Sequence, residues 1–271
     1  MRSRRLTRLF DPRSSRTLIV PLDHGLAHGP IPGLRDVPKL VDLLGVSRVD
    51  AVVLNAGLAF RCSDVLAKHP TLGLVVHLSA GSRLSEDPFE RGVVGSVRGA
   101  VALGADAVSV QLNVGGVDDV RQLTELARVA EECRADGMPL VAMMYTRGDV
   151  ADVASVAHAA RMADELGADI VKVAYPGTAS ALSEIVRSVH CSVVCAGGAA
   201  AHGPGIVDLA RSVVRAGGSG LAVGRQVFQD DHPQRMIREL RRILHEENMS
   251  GIAPSVITDG WSNAHMAAAA S

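Results

Sequence analysis

One lysine lies where a charged side chain is costly. Only three of the chain's 28 basic residues are lysines, and one of them, Lys172, sits in the apolar run Asp169-Ile-Val-Lys-Val-Ala-Tyr175. Such a run between Gly167 and Gly177 predicts a buried strand. Burial disfavours the ammonium form, and a lysine, unlike an arginine, can release its proton. The free amine forms Schiff bases with carbonyl compounds, which makes Lys172 a candidate catalytic residue. The alternative is a lysine near a strand end that reaches water or pairs with a carboxylate.

Eight apolar runs with amphipathic stretches between them would position this lysine. The predicted strands are Thr17–Leu22, Ala51–Asn55, Leu74–Leu78, Ala107–Leu112, Leu140–Met144, Ile170–Ala174, Val193–Ala196 and Leu221–Val223. The stretches 117–136, 150–166 and 206–216 have apolar residues three and four apart, which is typical of helices. Alternating strands and helices predict a parallel sheet. Eight such units predict an α/β fold, a single (β/α)8 TIM barrel.

The barrel is predicted to span residues 17–248. Residues 1–16 precede the first strand and are expected to cap the bottom of the barrel. Residues 249–271 lose helical periodicity and are expected to form a tail that could be disordered.

Part of the sequence echoes itself. Residues 103–110 (Leu-Gly-Ala-Asp-Ala-Val-Ser-Val) match residues 166–173 (Leu-Gly-Ala-Asp-Ile-Val-Lys-Val), and residues 49–54 are a looser copy. In each copy an aspartate begins a strand, which indicates a repeated structural unit. Ser109 stands where the later copy has Lys172, so the strand does not need the amine for folding.

Composition excludes several classes of function. The chain has 271 residues, is 47% hydrophobic with few aromatic residues, and carries a net charge of −1. It therefore predicts an aliphatic core and no nucleic-acid or membrane partner. No transmembrane stretch or signal peptide is apparent, which favours a cytoplasmic protein. The four cysteines show no CxxC spacing, and Cys191 and Cys195, in or beside a predicted strand, are expected to be reduced core residues. The pair His24 and His28 is interpreted as part of a loop, and we expect no metal and no cofactor.

Polar residues follow several predicted strands, at the end of a barrel where catalytic groups gather. Asp23 could orient or deprotonate the amine, handle a substrate hydroxyl proton, or simply begin a helix. Tyr145 could exchange a proton with a carbonyl oxygen or be an amphipathic rim residue. The neighbouring His24 and Arg147 are assigned to substrate or phosphate binding.

Glycines close the last two predicted strands. Gly197 and Gly198 follow the seventh, and Gly224 and Arg225 follow the eighth. Glycine lets backbone N–H groups approach an anion, and an arginine adds a charged contact. Because the loops after strands seven and eight commonly bind phosphate in barrels, these residues predict a phosphate site.

These motifs resemble archaeal-type class I fructose-bisphosphate aldolases and, more closely, the related 2-amino-3,7-dideoxy-D-threo-hept-6-ulosonate synthases. The resemblance runs from residue 6 to about 247 and is carried by residues 6–25, 104–115, 138–145, 167–172 and 224–229. It implies a metal-independent Schiff-base aldolase with Lys172 as the Schiff-base lysine, Tyr145 as acid/base and Asp23 as the strand-one aspartate. It also implies phosphate binding by the glycine loops and a cytoplasmic homo-oligomer, often a decamer.

Some positions depart from the family. Ala56 replaces a usual lysine and Gln111 a usual histidine, while residues 76–80 resemble the actinobacterial branch that leads to 3-amino-4-hydroxybenzoate. In that branch dihydroxyacetone phosphate is joined to L-aspartate 4-semialdehyde by a lyase or transferase-type aldolase. We favour this reaction over a fructose-bisphosphate aldolase of sugar metabolism. The alternatives of another class are a phosphosugar isomerase and a non-catalytic partner subunit.

Overall fold

Eight parallel strands close into a barrel. The structure is a computed structural model that describes residues 1–147, 152–198 and 205–247. The barrel strands are β1 (Thr17–Pro21), β2 (Ala51–Asn55), β3 (Gly73–His77), β6 (Ala107–Val114), β7 (Leu140–Thr146), β8 (Ile170–Val173), β9 (Ser192–Ala196) and β10 (Gly220–Ala222), paired in that order with β10 beside β1. All eight predicted strands are present, and the predicted (β/α)8 fold is confirmed.

Helices surround the barrel and connect its strands. They are α1 (Arg2–Leu6), α2 (His24–His28), α3 (Val37–Val46), α4 (Ala56–Arg61), α5 (Ser63–Lys68), α6 (Val97–Ala102), α7 (Asp119–Asp136), α8 (Val153–Glu165), α9 (Ala179–Ser188), α10 (Ile206–Arg215), α11 (Arg225–Phe228) and α12 (Pro233–His245). The predicted amphipathic stretches correspond to α7, α8 and α10. In the part of the chain that the structure describes, no helix is long and apolar enough to cross a membrane.

Strand residues alternate between two apolar clusters. Ile170 belongs to a small cluster inside the barrel, whereas Val171 and Val173 belong to the large cluster between the sheet and the helices. This period of two is the geometry of a β-strand, in which successive side chains point to opposite faces. Position 172 therefore faces the barrel interior.

Two local elements differ from the sequence-based expectations. A two-stranded antiparallel hairpin, β4 (Ser79–Ala80) and β5 (Gly92–Val93), follows β3, and strands this short leave no periodic signal in a sequence. The predicted loop at His24–His28 is wrong, because these residues form the one-turn helix α2. The His24 ring packs edge-on against Phe228, with ring centroids 5.5 Å apart, and Gly29 ends the helix with φ 77°.

The repeated aspartate has one structural role in all three copies. Carboxylate oxygens of Asp50, Asp106 and Asp169 accept hydrogen bonds from the backbone N–H groups of Leu18, Leu74 and Leu140, at 2.6, 3.0 and 2.9 Å. Each aspartate thus links the start of its own strand to the start of the neighbouring strand. The echo in the sequence is therefore a repeated strand-to-strand tie.

The N-terminal segment contacts this same end of the barrel. Arg2 Nε donates to Asp169 at 2.8 Å, and Arg8 Nε lies 3.1 Å from Asp106. Leu9 is fully buried and belongs to the interior cluster of the barrel. The predicted tail, residues 249–271, lies outside the described residues.

Candidate active site

A cavity of about 580 Å³ opens at the C-terminal ends of the barrel strands. Eight of the nine residues predicted from sequence for the site line this cavity, all but Arg147. Its volume suits one or two small metabolites, since ligand pockets commonly span roughly 300–1,000 Å³. These eight residues therefore line the same cavity.

Lys172 lies deep in the cavity, on the interior face of β8. The residue is only 8% exposed, and its Nζ is 4.0 Å from Met143 Sδ and 5.7 Å from the ring centroid of Tyr145. Tyr145 follows Met143 by two positions on the adjacent strand β7, so the same period of two brings both side chains inward. The amine and the phenol are thus held by neighbouring strands.

Asp23 begins α2, yet its carboxylate makes no capping hydrogen bond. One carboxylate oxygen is 3.6 Å from His24 Nδ1, and the other is 3.8 Å from His77 Nε2. His77 is in turn fixed by Ser109, whose hydroxyl lies 2.8 Å from Nδ1 of the ring. The side chain of Asp23 therefore serves the cavity and not the helix terminus.

The charge states of this group follow from burial and from one another. Burial lowers the pKa of His24 to about 4 and also lowers the pKa of His77, so both imidazoles are neutral near pH 7. Burial by itself raises the pKa of Asp23, but His77, Lys172 and His24 lower it, and the net direction is downward. With its pKa lowered, Asp23 is ionised near pH 7, and Lys172 is the group among these three that carries a positive charge there.

Lys172 differs from the expectation that burial frees its amine. Burial lowers the pKa of Lys172, but Tyr145 and Asp23 raise it, and the net direction is upward. The resting residue is therefore expected to be an ammonium ion, stabilised by the charge of Asp23 but without an ion pair to it within 4.0 Å. Because an ammonium ion is not nucleophilic, the proton would have to leave before the amine could attack a carbonyl group.

The predicted phosphate residues lie together at the ends of β9 and β10. Gly198 has φ 68°, a left-handed conformation that favours glycine. A Cβ on Gly224 would lie 2.7 Å from the His24 ring and 2.8 Å from the Pro21 carbonyl oxygen, so the chain passes too close there for any side chain. Arg225 is exposed, and among the described residues none forms an ion pair or hydrogen bond with its guanidinium.

Arg147 is not a cavity residue, and its assignment to substrate or phosphate binding does not fit the structure. Its guanidinium binds Asp87 at 2.8 Å and Asp118 at 2.7 Å, and its Nε donates to the Asn113 carbonyl oxygen at 3.2 Å. Two carboxylates thus occupy the groups that would bind an anion. Arg147 instead ties the 81–91 segment, which connects β4 to β5, to the ends of β6 and β7.

Several residues to which no role was assigned from the sequence also line the cavity. His77, Gln111 and Asn113 follow interior apolar residues at a period of two, a signal that was available in the sequence. Arg83 and Arg91 also line the cavity from the 81–91 segment, and no strand periodicity announces them. Cys191 and Cys195 are free and buried as predicted, as are Cys62 and Cys133, and burial raises the pKa of Cys195 to about 12.

Within residues 1–147, 152–198 and 205–247, no three histidine, cysteine, aspartate or glutamate side chains are grouped as metal ligands. Three histidines do line the cavity, at positions 24, 28 and 77. Asp23 is the one carboxylate among the described lining residues, whereas Lys172, Arg83, Arg91 and Arg225 are cationic. The cavity is therefore built to receive negative charge.

Known proteins share both the sequence and the barrel. The family model of the DeoC/LacD family aldolases matches residues 17–230. The chain is 38% identical over 243 residues to 2-amino-3,7-dideoxy-D-threo-hept-6-ulosonate synthase 1 of Archaeoglobus fulgidus, covering 89% of this chain and 90% of that protein. It is also 38% identical over 257 residues to 2-amino-4,5-dihydroxy-6-oxo-7-(phosphonooxy)heptanoate synthase of Streptomyces griseus, covering 93% of each.

A solved structure extends the comparison to the mechanism. An archaeal fructose-1,6-bisphosphate aldolase, with its catalytic lysine covalently bound to the carbinolamine intermediate, matches with a TM-score of 0.81 at 28% identity, over 90% of this chain and 100% of that chain. The chain is therefore an aldolase of the DeoC/LacD family, in the class whose members form a Schiff base with the substrate.

Proposed function

We propose that this aldolase joins a dihydroxyacetone-phosphate-type donor to L-aspartate 4-semialdehyde through a Schiff base on Lys172. The observation that carries the proposal is the buried Lys172 amine beside Tyr145, with Asp23 charge-coupled to it, in a cavity whose lining is mainly cationic. A phosphorylated ketone brings both the carbonyl group that an amine attacks and the negative charge that the lining favours.

The donor half of the reaction uses the three predicted catalytic residues. After deprotonation, Lys172 attacks the ketone carbon, and loss of water from the carbinolamine gives a protonated imine. Tyr145 exchanges the proton at the carbinolamine oxygen. The imine withdraws electrons, so the adjacent carbon loses a proton and becomes an enamine nucleophile. Asp23 exchanges a proton with the hydroxyl group of the donor next to that carbon.

The acceptor half forms the new bond. The enamine carbon attacks the aldehyde carbon, the aldehyde oxygen takes up a proton, and water then releases the product from Lys172. Gly197, Gly198, Gly224 and Arg225 hold the donor phosphate and so fix the reacting carbon relative to the aldehyde. The Streptomyces griseus synthase, named for a phosphorylated amino heptanoate, supports this choice of acceptor.

Fructose-bisphosphate aldolase activity is the second candidate. The match to the archaeal fructose-1,6-bisphosphate aldolase supports it, and the same amine chemistry would serve glyceraldehyde 3-phosphate as acceptor. A phosphosugar isomerase that uses a pair of acid/base carboxylates is less well supported, because Asp23 is the single carboxylate among the described lining residues. The presence of Lys172, Tyr145 and Asp23 in one cavity argues against a non-catalytic partner subunit.

Borohydride trapping tests the Schiff base. Incubation with dihydroxyacetone phosphate and borohydride should add one reduced donor to the intact mass, with the adduct on Lys172 in a peptide digest. Lys172→Arg and Lys172→Ala should both fold and give no adduct, since arginine keeps the charge but supplies no neutral amine. Lys39→Arg is the matched control and should retain the adduct. Aldol turnover by Lys172→Arg would refute the assignment.

We also propose that copies of the chain associate into a homo-oligomer, as the family resemblance implies. Val94, Val117 and Val120 are exposed large apolar side chains on or near α7, which supports an apolar contact surface. Light scattering of the purified protein measures the subunit count directly, and a monomer at micromolar concentration would contradict the proposal.

A further inference from the structure

The cationic groups of the cavity are divided between two sides. Arg225 follows β10, and its charge acts on His24 and His28. Arg91 stands before β5, at the end of the 81–91 segment that follows β3, and its charge acts on His77 and His28 and interacts with Tyr145. Strands β1 and β2 separate β10 from β3 in the barrel. The two arginines therefore enter the cavity from different strands, although both charges act on His28.

Arg91 is held in place by its own segment. Its Nη1 donates to the carbonyl oxygens of Pro88 at 2.9 Å and Glu90 at 2.6 Å, and Arg121 Nη1 donates to the Arg91 carbonyl oxygen at 2.9 Å. A Cβ on Gly81 would collide with Arg91 Nη1 and with the Glu90 carbonyl oxygen. The absence of a side chain at position 81 is thus what lets the guanidinium lie there.

Arg91 lacks a counter-ion where neighbouring arginines have one. Arg147 binds two carboxylates, and Arg121 binds Asp118 and Glu125. Among the described residues no carboxylate forms an ion pair with Arg91, although the side chain is half-buried. Burial lowers the pKa of Arg91, the charge of Arg147 lowers it further, and Asp87 and Tyr145 raise it. A partly desolvated guanidinium with free donors is a site for an anion.

The donor does not need this second cation. Its phosphate is accounted for by Arg225 and the glycine loops on the side of β9 and β10. The acceptor must bring its aldehyde carbon to the enamine on Lys172, in front of Tyr145, and Arg91 lines the same cavity and interacts electrostatically with Tyr145. Aspartate 4-semialdehyde and glyceraldehyde 3-phosphate each carry an anionic group only a few bonds from the aldehyde.

We propose that Arg91 binds the anionic group of the aldehyde acceptor and so selects acceptors that carry a carboxylate or a phosphate group. The inference rests on the proposed aldol reaction and adds a specificity-determining residue to it. Carboxylate and phosphate share the chemistry that a guanidinium recognises, so the choice between them is left to the acceptors used in the experiment.

The experiment compares three aldehydes with saturating dihydroxyacetone phosphate: aspartate 4-semialdehyde, glyceraldehyde 3-phosphate and propanal. In Arg91→Ala, the ratio of kcat/KM for the anionic acceptor to that for propanal should fall about ten- to a hundredfold, because a charge-assisted contact is lost. Arg91→Lys should lie between wild type and Arg91→Ala. Whichever anionic aldehyde has the higher kcat/KM in wild type, and loses more of it, is the source of the anion.

Arg225→Ala is the matched control on the other side of the cavity. It should raise KM for dihydroxyacetone phosphate while the ratio between the anionic acceptor and propanal stays constant. If the Arg91 variants lower kcat/KM for propanal and for the anionic acceptors by the same factor, or change neither, the inference is wrong. Borohydride trapping without any aldehyde separates the two proposals. A wild-type protein that gives no adduct refutes the Schiff base itself, whereas an adduct with unaltered acceptor selectivity refutes only the role of Arg91.

Discussion

The reactivity of Lys172 depends on charges that lie far from it in the sequence. Burial alone favours the neutral amine, yet Tyr145 and Asp23 hold the pKa of Lys172 above its usual value. The pKa of Asp23 is lowered in turn, by His77 and by Lys172, so the carboxylate is ionised near pH 7. The Lys172 amine is thus protonated at rest and must lose its proton before it can form a Schiff base. Schiff-base formation should therefore accelerate as the pH rises.

Asp23→Asn should shift this pH dependence. Removing the carboxylate removes one of the charges that raise the pKa of Lys172, so the free amine should form at lower pH than in the wild type. The measurement is the single-turnover rate of imine trapping by cyanoborohydride as a function of pH. Asp208→Asn, on the exposed face of α10, is the control and should leave the profile in place. A profile that does not move, or moves to higher pH, would contradict the coupling.

At the scale of elements, the 81–91 segment is positioned by Arg147. Besides its contacts with Asp87, Asp118 and the Asn113 carbonyl oxygen, the guanidinium lies 5.6 Å from the ring centroid of Phe89. Asn113 adds a hydrogen bond from Nδ2 to the Phe89 carbonyl oxygen at 2.6 Å. Because Arg83 and Arg91 lie on this segment, the contacts of Arg147 help to determine the positions of two cationic side chains that line the cavity.

Arg147→Ala should loosen the segment. Two ion pairs and the contact with Phe89 are lost together, so hydrogen exchange of the amides of residues 84–90 should rise about tenfold. Arg147→Lys should give a smaller rise, since an ammonium cannot engage both carboxylates as the planar guanidinium does. The control is Arg128→Ala, which breaks an exposed ion pair with Glu132 on α7. Unchanged exchange in Arg147→Ala would show that other contacts hold the segment.

Much of this arrangement could be predicted from the sequence, because it follows from periodicity. The eight strands, the inward position of Lys172 and the role of strand ends all depend on a period of two and on the order of elements. The partners of Arg147 could not be predicted, since Asp87 lies 60 residues away and only the fold brings it near. The raised pKa of Lys172 could not be predicted for the same reason. The sequence shows that the lysine is buried but not which charges surround it.

At the scale of the whole molecule, the two ends of the barrel differ in the ion pairs that their charged side chains form. The end that carries the cavity has charged groups without ion-pair partners among the described residues, such as Arg91 and Arg225. At the opposite end, three ion pairs involve the aspartates that precede strands: Arg2 with Asp169, Arg8 with Asp106, and Arg241 with Asp50. Leu9 adds an apolar contact there, inside the barrel. We therefore predict that the N-terminal segment stabilises the barrel without taking part in the reaction.

Leu9→Ala should destabilise the protein by about 2–5 kcal/mol, the range for truncating a fully buried leucine. Urea unfolding at fixed protein concentration measures the loss. Leu84→Ala is the matched control, because Leu84 is 98% exposed and its truncation should change stability by less than about 0.5 kcal/mol. The fraction trapped by borohydride under native conditions should be the same in both variants. A loss of trapping in folded Leu9→Ala would show that the segment reaches the active site.

The scarcity of lysine gives this enzyme a property that is useful outside its own chemistry. Lys39 and Lys68 are exposed, whereas Lys172 can be reached only through the cavity. Bulky amine-directed labels, such as fluorescent esters or activated resins, would modify the two outer lysines and the chain terminus. Small carbonyl compounds would enter and mark the third. The size of the reagent thus determines which amines react. The protein can be tethered or tagged at Lys39 and Lys68, while Lys172 stays available for a small covalent reporter in the cavity.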